Sequence, residues 1–541
     1  MSEYDYIIVG AGSAGCVLAN RLTANGRFRV LLLEAGGSDR RFWIRAPIGY
    51  GKSFYDGRVN WMYMTESDPG LGGRAVYWPR GKVLGGSSSI NAMVYVRGQA
   101  DDFDDWAALG NPGWAWNDVL PYFKKSEDNA LGPDDLRGVG GPLHVADVSH
   151  LVHPLCDIYL EACRELGFDR SEDLNGAAGE CVGLYQITTR RAVRESTATA
   201  YLRPAKGRRN LRVETKAHAT RIVFDGKRAV GVEYKQGGRG HRANAGREVI
   251  LSAGSINSPQ LLQLSGVGPA EVLQPNGIGV VHDSPAVGRN LQDHLGMDYF
   301  YLSRRPTLNN ELYPWWGKLW AGMRYVLFRS GPLCLSVNQG GGFVRTRPNL
   351  DRPNIQLYFS PVSYAKTPPG KRQLMSPDSY PGFLLGYSVC RPSSRGYLQI
   401  SSSNPFQPPE IHPKYLSTDE DISEMLDGAR FLRRLAAAPA FAGLIESELQ
   451  PGSSTRSEEA LIEDIRARSS TVFHPVGTCS MGPDARRSVV GHRLAVHGIE
   501  RLRVIDSSVF PFVPSGNTNA PTIMIGEKGA DLVLGDSGAN T

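Results

Sequence analysis

The sequence has few of the features that mark a secreted, membrane-spanning or metal-binding protein. Its seven cysteines are scattered and none form a CxxC pair, which argues against a disulfide framework and a zinc site. Residues 1–10 run directly into a strand-like segment, without the basic and apolar regions of a secretion signal. No apolar run approaches the roughly 18 residues of a membrane span. We therefore expect a cytoplasmic protein with reduced thiols, no transmembrane segment and no metal ion.

Strong net charge and internal repeats are also missing. The formal net charge is +6 over 541 residues, and the basic clusters at 206–210 and 237–242 fall in predicted turns, so we expect no nucleic-acid partner. No repeat or long low-complexity segment indicates a solenoid or a disordered chain. The length exceeds what one hydrophobic core supports, which predicts two or more domains.

The N-terminal segment has the pattern strand, glycine-rich turn, helix, strand. The apolar run 6–9 predicts a strand, 13–24 predicts a helix and 29–33 predicts a second strand. Such a unit is typical of the start of an open, parallel α/β sheet. The residues in its turn indicate what it binds.

Gly10, Gly12 and Gly15 form a G-x-G-x-x-G pattern in this turn, and Glu34 follows the second strand. Gly10 permits the tight turn, Gly12 lets the backbone approach a pyrophosphate, and Gly15 lets the helix pack closely on the strand. The helix N-terminus offers unpaired N–H groups to the phosphates. Glu34 is placed to accept hydrogen bonds from a ribose diol, which disfavours NADP. The pattern predicts a dinucleotide site but does not decide between FAD and NAD.

Two later segments combine glycine and serine with apolar stretches. Residues 81–104 begin as a glycine-rich turn with a run of serines, which predicts a loop lying against a large ligand; a serine-rich helix cap is the alternative. Residues 254–268 follow an apolar strand. There we expect a helix over 259–264, with Ser258 as its cap and Pro259 at its first position.

These two segments resemble the two signatures of the glucose–methanol–choline (GMC) oxidoreductases. The segments 474–482 (HPVGTCSMG) and 515–533 resemble the C-terminal region of that family. The resemblance covers nearly all of 1–300 and about 385–535, whereas 305–380 match no motif of the family. It implies an α/β fold in which an FAD-binding Rossmann-like domain is interleaved with an α+β substrate domain built on an antiparallel sheet.

The resemblance also implies how the two domains alternate along the chain. The FAD-binding domain is expected to comprise 1–155, 196–300 and 471–541, and the last of these carries the proposed active-site residues. The substrate domain is expected to comprise 156–195 and 301–470.

Individual cofactor contacts follow from the same resemblance. The ADP half of FAD is expected against Gly10, Gly12, Ser13, Ala14, Gly15, Glu34 and Ala35, with Ala219 meeting the adenine through its backbone. The flavin half is expected against Val83, Gly86, Ser87, Ser88, Asn91, Ala92, Met93, Val94 and Phe473. The run 501–511 predicts a strand ending near Asp506, which with Ser507 is expected to approach the pyrophosphate or ribityl chain, and Asn519 and Thr522 are expected at the pyrimidine edge.

Ile90 decides how the cofactor is expected to be attached. It stands just before Asn91, at the position where covalently flavinylated choline oxidases carry the linking histidine. Isoleucine has no atom that can form this bond. We therefore expect non-covalent FAD.

His474 is the candidate base. In isolation, a histidine between Phe473 and a proline is more often structural. In the family, however, the histidine of HPVGT faces the flavin and acts as base, and its partner is a histidine or asparagine about 43 residues later; here that residue is Asn517. Histidine has an ordinary pKa of about 6.5, so a useful fraction is neutral at pH 7. Of the other histidines, His294 is expected to be a structural loop residue.

His492 and His497 are the other two histidines considered as possible metal ligands. They are spaced too far apart for one helical face and have no acidic pattern nearby. We expect no metal site at either residue.

Together these features predict FAD-dependent oxidation of a primary alcohol to an aldehyde, with oxygen or another acceptor reoxidising the flavin. The alternatives are a hydroxynitrile-lyase-like enzyme without net redox and a non-catalytic flavin-binding protein.

Phe473 and Ala92 are expected in the substrate pocket. Gly296 replaces the glutamate that binds the cation in choline-acting relatives, so we expect no acid there and an apolar or aromatic substrate. The aromatic-rich segment 309–320 is either a pocket wall or a buried helix, and the oligomeric state is left open.

Overall fold

The computed structural model describes residues 4–364 and 376–538, and two large β-sheets organise them. The first sheet has seven strands. They are Tyr4–Val9, Val30–Glu34, Leu211–Thr215, His218–Asp225, Arg228–Gln236, Arg239–Leu251 and Leu502–Val504.

The strand Tyr4–Val9 lies inside this first sheet. It pairs in parallel with Val30–Glu34 on one side and with Arg239–Leu251 on the other. Strands buried on both faces read as continuous apolar runs, which is why this segment has no alternating pattern. The helix Ser13–Leu22 then packs against the C-terminal helix Asn519–Asp536.

The second sheet has eight strands. They are Arg170–Ser171, Cys181–Leu184, Leu295–Ser303, Gly340–Val344, Ile355–Ser360, Gly382–Val389, Ile445–Gln450 and Ser470–Thr471. One face packs in an apolar cluster with the helices Leu155–Glu165, Asp419–Ala436 and Glu458–Arg468. The opposite face, which carries Tyr358, borders a large cleft. The first sheet lies on the other side of this cleft.

Shorter elements connect the two sheets. The remaining helices are Phe42–Arg45, Tyr50–Ser53, Ala100–Ala108, Trp116–Ser126, Arg203–Ala205, Gly254–Leu264, Ala270–Leu273, Leu308–Leu312, Trp315–Phe328 and Pro439–Ala442. Short strand pairs are Tyr63–Met64 with Tyr77–Trp78, Glu127–Asn129 with Leu143–Val145, Thr189–Arg190 with Val193–Arg194, Val267–Gly268 with His282–Asp283, and Tyr397–Gln399 with Glu410–His412. In the parts of the chain described, no helix has both the length and the apolar character to cross a membrane.

The predicted fold class is confirmed, with differences in individual elements. The domain boundaries stay a prediction, and the strand Leu295–Ser303 joins the second sheet although its first residues fall in the segment 196–300 assigned to the FAD-binding domain. The basic cluster at 237–242 is a turn only at its first two residues, because a strand begins at Arg239. Hairpin strands can extend into solvent and carry charged residues, so charge alone did not separate strand from turn.

The predicted start of the helix at Pro259 is wrong. The helix begins at Gly254 and contains Pro259 in its second turn. A proline there has no N–H to donate to the Ser255 carbonyl, which ordinarily disfavours the helix interior. The Thr478 hydroxyl donates to that carbonyl instead, at 2.6 Å. A tertiary contact therefore satisfies the group that the local sequence leaves without a partner.

Candidate active site

The cleft between the two sheets brings together most of the residues assigned from the sequence. It is lined by residues of both sheets and of the loops between them. The assigned residues that line it are Gly10, Gly12, Ser13, Ala14, Glu34, Ala35, Gly86, Ser87, Asn91, Ala92, Met93, Val94, Ala219, Phe473, His474, Asp506, Ser507, Asn517, Asn519 and Thr522. The cleft therefore connects the residues assigned to the cofactor with those assigned to the base and the substrate.

Three residues assigned to the cofactor lie behind the cleft wall instead. A Cβ on Gly15 would lie 1.9 Å from the Gly10 carbonyl oxygen, so this glycine permits close helix packing rather than ligand contact. Val83 is buried in a small apolar cluster, and the Ser88 hydroxyl donates to the Gly85 carbonyl at 2.6 Å. The sequence did not show which side of each loop faces inward.

The glycine-rich turn forms a cradle at one end of the cleft. Gly10 has φ +99°, and a Cβ on it would lie 2.4 Å from the Ser252 carbonyl oxygen, so only glycine fits. A Cβ on Gly12 would approach that oxygen no closer than 3.8 Å, which leaves the backbone open to the cleft. Ser13 and Ala14 start the helix there, where N–H groups have no intrahelical acceptor. The geometry suits a pyrophosphate.

Glu34 is held at the end of its strand by two backbone donors. Its Oε2 accepts from the Ala11 N–H at 2.9 Å and its Oε1 from the Gly36 N–H at 2.7 Å. Burial raises the pKa of its carboxyl group to about 7. The two oxygens have further lone pairs for a ribose diol, as expected for this position.

Asp506 joins the cradle to the helix Gly254–Leu264. Its Oδ2 accepts from the Gly254 N–H at 2.9 Å and from the Ser258 hydroxyl at 2.6 Å. Ser258 therefore lies in the helix and binds a distant carboxylate rather than acting as the cap. Burial raises the pKa of Asp506. Ser507 follows, with its hydroxyl 2.8 Å from that of Ser255.

His474 lies on a tightly held loop across the cleft. Its backbone N–H donates to Asp293 Oδ1 at 2.7 Å. The residue before it, Phe473, has φ +72°, a left-handed conformation that costs a side-chain-bearing residue about 1–2 kcal/mol. The Arg80 guanidinium donates to the Phe473 carbonyl at 2.6 Å and holds this conformation. The loop therefore places the imidazole in the cleft through long-range contacts.

The Cys390 carbonyl, His294 and His474 form a chain of hydrogen bonds, and this chain determines which ring nitrogen of His474 carries the proton. His294 Nε2 lies 2.8 Å from the Cys390 carbonyl oxygen, and because a carbonyl only accepts, this nitrogen carries a proton. Burial lowers the pKa of His294 to about 4, so at pH 7 the ring is neutral and its Nδ1 is an acceptor. His474 Nδ1 lies 2.9 Å from that nitrogen and must donate to it. Neutral His474 then has its lone pair on Nε2.

Asn517 meets this Nε2 atom. Its Nδ2 lies 3.2 Å from His474 Nε2. The amide is oriented from the other side, since its Oδ1 accepts from Gln356 Nε2 at 3.2 Å. Gln356 is oriented in turn by Tyr358, whose hydroxyl donates to Gln356 Oε1 at 2.8 Å. The second sheet thus directs the NH₂ group of Asn517 towards the histidine.

The substrate end of the cleft has apolar walls and one acid. Phe473 contacts Phe54 edge to face, with the ring centroids 5.1 Å apart, and Ala92 packs against the same cluster. Gly296 lies in the second sheet opposite Ser388. Two residues on, and therefore on the same face of the strand, Asp298 lines the cleft. Position 296 itself carries no acid, as expected, but Asp298 brings one to the same face of the strand because side chains alternate with a period of two.

The segment 309–320 is neither a wall of the substrate pocket nor a buried helix, the two alternatives expected from its aromatic content. None of its residues is among those that line the cleft in the described part of the chain. Half of it, 315–320, belongs to the helix Trp315–Phe328, in which only Gly317, Ala321 and Tyr325 are buried. Aromatic content alone did not distinguish a packed helix from an exposed one.

Several residues in the site were missed from the sequence. His294 was expected to be a structural loop residue, and it is buried against His474. The motif QDH, which contains both Asp293 and His294, was the available signal. Arg80 and Gln356 gave no local signal, because each acts on a residue far away in the chain.

The residues present fit FAD. The glycine cradle and Glu34 suit its adenosine diphosphate half, and the cleft extends from them to His474. Ile90 also lines the cleft and has no nucleophilic atom. In the described part of the chain, no group of three or more His, Cys, Asp or Glu side chains is arranged for a metal ion.

Comparison with known proteins agrees with this geometry. Two family models, both described as GMC oxidoreductase, match residues 4–296 and 392–526. The mitochondrial choline dehydrogenase of Mus musculus is 43% identical, covering 98% of this chain and 90% of that protein. An alcohol dehydrogenase [acceptor] of Pseudomonas putida is 42% identical, covering 98% and 96%.

A solved structure shares the whole architecture. A formate oxidase of Aspergillus oryzae, studied for FAD modification, has a TM-score of 0.91 and 27% identity, covering 99% of this chain and 98% of its own. The resemblance inferred from the motifs is therefore confirmed over both ends of the chain and over the fold. The chain belongs to the GMC oxidoreductase family.

Proposed function

We propose that this protein oxidises a primary alcohol to an aldehyde, with FAD as the non-covalently bound cofactor and His474 as the base. The observation that carries the proposal is the unprotonated Nε2 of neutral His474, which meets an amide donor of Asn517 in a cleft that continues to the glycine cradle. Bound FAD supplies the acceptor for the hydride that leaves the carbinol carbon.

His474 and Asn517 bind the hydroxyl group of the substrate, and His474 accepts its proton. The substrate O–H takes the place of the Asn517 amide as donor to His474 Nε2. The Asn517 NH₂ group then donates to the substrate oxygen without competing for its proton. As the C–H bond breaks, the hydroxyl proton moves to Nε2 and the aldehyde C=O bond forms. One alcohol thus yields one aldehyde, one proton on the imidazole and one hydride. A positioned base of this kind is worth roughly 10²–10⁴ in rate.

The walls of the cleft favour an alcohol with an apolar or aromatic body. Phe473, Phe54, Tyr50 and Val337 line it and belong to one apolar cluster. Such walls match an apolar chain or ring and offer few groups that could bind the hydroxyls of a sugar.

A cationic alcohol is the second candidate, and Asp298 is the observation that favours it. Its carboxylate lies on the cleft face of the second sheet, in the same row as Tyr358 across Gly386. A carboxylate with aromatic neighbours is suited to an ammonium group. Relatives named for choline and for alcohols are about equally similar to this chain, so sequence similarity does not choose between the two.

The test is anaerobic mixing of the holoenzyme with alcohols. Bleaching of the flavin absorbance by an alcohol, with formation of one aldehyde per flavin, is expected. Absence of bleaching with every alcohol tried would favour the non-redox alternatives, a lyase or a flavin-binding protein. Reoxidation of the bleached enzyme with air or with a quinone under argon then determines whether oxygen or another acceptor serves it.

A further inference from the structure

The helix Trp315–Phe328 exposes an apolar surface. Eight of its side chains are 39–76% exposed, and they are Trp315, Trp316, Leu319, Trp320, Met323, Val326, Leu327 and Phe328. We call these side chains the tryptophan face. Contiguous exposed apolar patches are uncommon on soluble proteins and mark sites of interaction.

The helix attaches to the protein by a narrow stripe of three buried residues, Gly317, Ala321 and Tyr325. Gly317 and Ala321 are buried, and a Cβ on Gly317 would lie 1.9 Å from the Glu311 carbonyl oxygen, so the helix lies close to the chain beneath it. The ordinary arrangement places the apolar face of a helix inward and its polar face in water. Here the outward face is the apolar one, and no element within 4–364 and 376–538 buries it.

Basic residues are frequent in the two segments at and next to the tryptophan face. The segment 308–329 contains three basic side chains and one acidic side chain, and the acid, Glu311, is paired with Arg324 at 3.6 Å. The segment 40–52 contains four basic side chains and no acidic one. The two segments meet where Phe42 contacts Tyr325 edge to face, at 6.1 Å between centroids. Phe42 is half-exposed, so the segment 40–52 is a surface neighbour of the helix, and we call the basic residues of the two segments the basic rim.

We propose that the tryptophan face docks on an anionic lipid surface, with the helix lying in the interface. Tryptophan is enriched at the boundary between headgroups and acyl chains, and a basic rim adds attraction to anionic headgroups. A helix of 14 residues is about 21 Å long, too short for a hydrocarbon core of about 30 Å, so it lies on the bilayer rather than crossing it.

The charge pattern favours lipid over a second copy of the chain. A two-fold dimer through this face would bring each patch against its own equivalent. The basic rims would then repel each other, whereas anionic headgroups would neutralise them. The choice of a lipid surface therefore follows from the sign of the rim.

Docking would also place the membrane next to the substrate cleft. Ala321 and Tyr325, on the buried stripe, belong to the same apolar cluster as Tyr50 and Phe54, which line the cleft. The lipid surface and the cleft wall are thus two sides of one thin layer. This placement does not depend on which alcohol is oxidised.

The test is sedimentation of the holoenzyme with vesicles of phosphatidylcholine, with and without phosphatidylglycerol. We expect the wild type to pellet with the anionic vesicles, and Trp315→Ser with Leu327→Ser to lower the partition coefficient by about tenfold or more. The matched control replaces two exposed apolar residues elsewhere, Leu109→Ser with Val139→Ser, and should bind as the wild type does. Flavin content and alcohol turnover in solution should be unchanged in both variants.

A second set of variants, which reverse charge, separates the contribution of the basic rim from that of the apolar face. Lys318→Glu with Arg41→Glu should weaken binding to anionic vesicles only, whereas the control pair Lys206→Glu with Arg239→Glu should not. Equal vesicle binding by the serine variants and their control would overturn the proposal, as would no binding by the wild type. A dimer in sedimentation velocity that the Trp315→Ser variant dissociates, without vesicle binding, would assign the face to a second copy instead.

Discussion

His294 Nδ1 lies 2.9 Å from His474 Nδ1, and the two buried rings stand nearly perpendicular, at 87°. The Cys390 carbonyl keeps the proton of His294 on Nε2, so Nδ1 of His294 accepts the Nδ1 proton of His474. The backbone carbonyl thereby sets the tautomer of the proposed base. We infer that His294 is a positioning residue.

Replacing His294 tests this inference. His294→Leu removes the acceptor for the Nδ1 proton of His474 and should lower the rate of flavin reduction by roughly 10–100-fold, as loss of an orienting partner typically does. The FAD content should stay the same. His294→Gln offers an amide oxygen instead and should retain more activity. Equal losses in the two variants would assign His294 to packing alone.

The pH dependence of kcat/KM should have one acidic limb. The base must be unprotonated to accept the hydroxyl proton, so activity falls as pH decreases through the pKa of His474. Burial lowers the pKa of His294 to about 4, so this ring stays neutral and adds no second limb above about pH 5. Steady-state rates from pH 5 to 9 give the slope, measured with FAD in excess so that the weaker cofactor binding expected from Glu34 below pH 7 adds no limb. A slope of two on the acidic side would contradict a neutral His294.

Removing the base itself should separate chemistry from cofactor binding. We expect His474→Ala to keep its FAD and to lose roughly 10²–10⁴ in the rate of flavin reduction by alcohol. Stopped-flow spectra under argon give the rate, and the absorbance ratio of flavin to protein gives the occupancy. A variant that retains more than about a tenth of the wild-type rate would show that another group accepts the proton.

The attachment of FAD can be read from a denatured sample. Ile90 lines the cleft where a covalent link would need a nucleophile, so acid precipitation should release the flavin into the supernatant. Yellow colour that stays with the precipitated protein would rule out non-covalent binding.

Glu34 should make FAD binding depend on pH. Burial raises the pKa of its carboxyl group to about 7, so the stronger acceptor, the carboxylate, is lost as pH falls below this value. We expect the affinity of the apoprotein for FAD to weaken by up to about tenfold per pH unit below pH 7 and to level off above it. Fluorescence titration of FAD measures this. In Glu34→Gln the dependence should disappear, and a dependence that persists there would assign it to another group.

A substrate panel distinguishes the two candidate substrate classes. We expect benzyl-type and medium-chain alcohols to exceed choline and glucose in kcat/KM, because the cleft walls around Phe473 are apolar. If choline leads, Asp298→Asn should lower its kcat/KM by at least about tenfold, since a desolvated cation would lose its partner. The same substitution should leave benzyl alcohol nearly unchanged. Glucose leading the panel would contradict both candidates.

The glycine turn of the proposed cofactor site could be predicted from the sequence because its residues are close together in the chain. The glycine pattern is contiguous in the sequence, and Gly15 packs against Gly10 within the turn, although the close contact that also constrains Gly10 comes from the distant Ser252. Family motifs supplied His474 and Asn517, and the structure brings the two side chains within hydrogen-bonding distance. Motifs did not show which loop residues face inward. Gly15, Val83 and Ser88 are the assigned cofactor residues that do not line the cleft, and their contact with FAD stays a prediction.

The sequence by itself therefore determined the βαβ unit, its glycine turn and the family, because short-range sterics and contiguous motifs encode them. Only the tertiary structure decided the proton on His474, the acid at Asp298 and the outward face of the helix Trp315–Phe328. Each of these depends on residues far apart in the chain, as when Cys390 acts on His474 through His294. A hydrogen bond or a buried face exists only once folding has brought its two sides together.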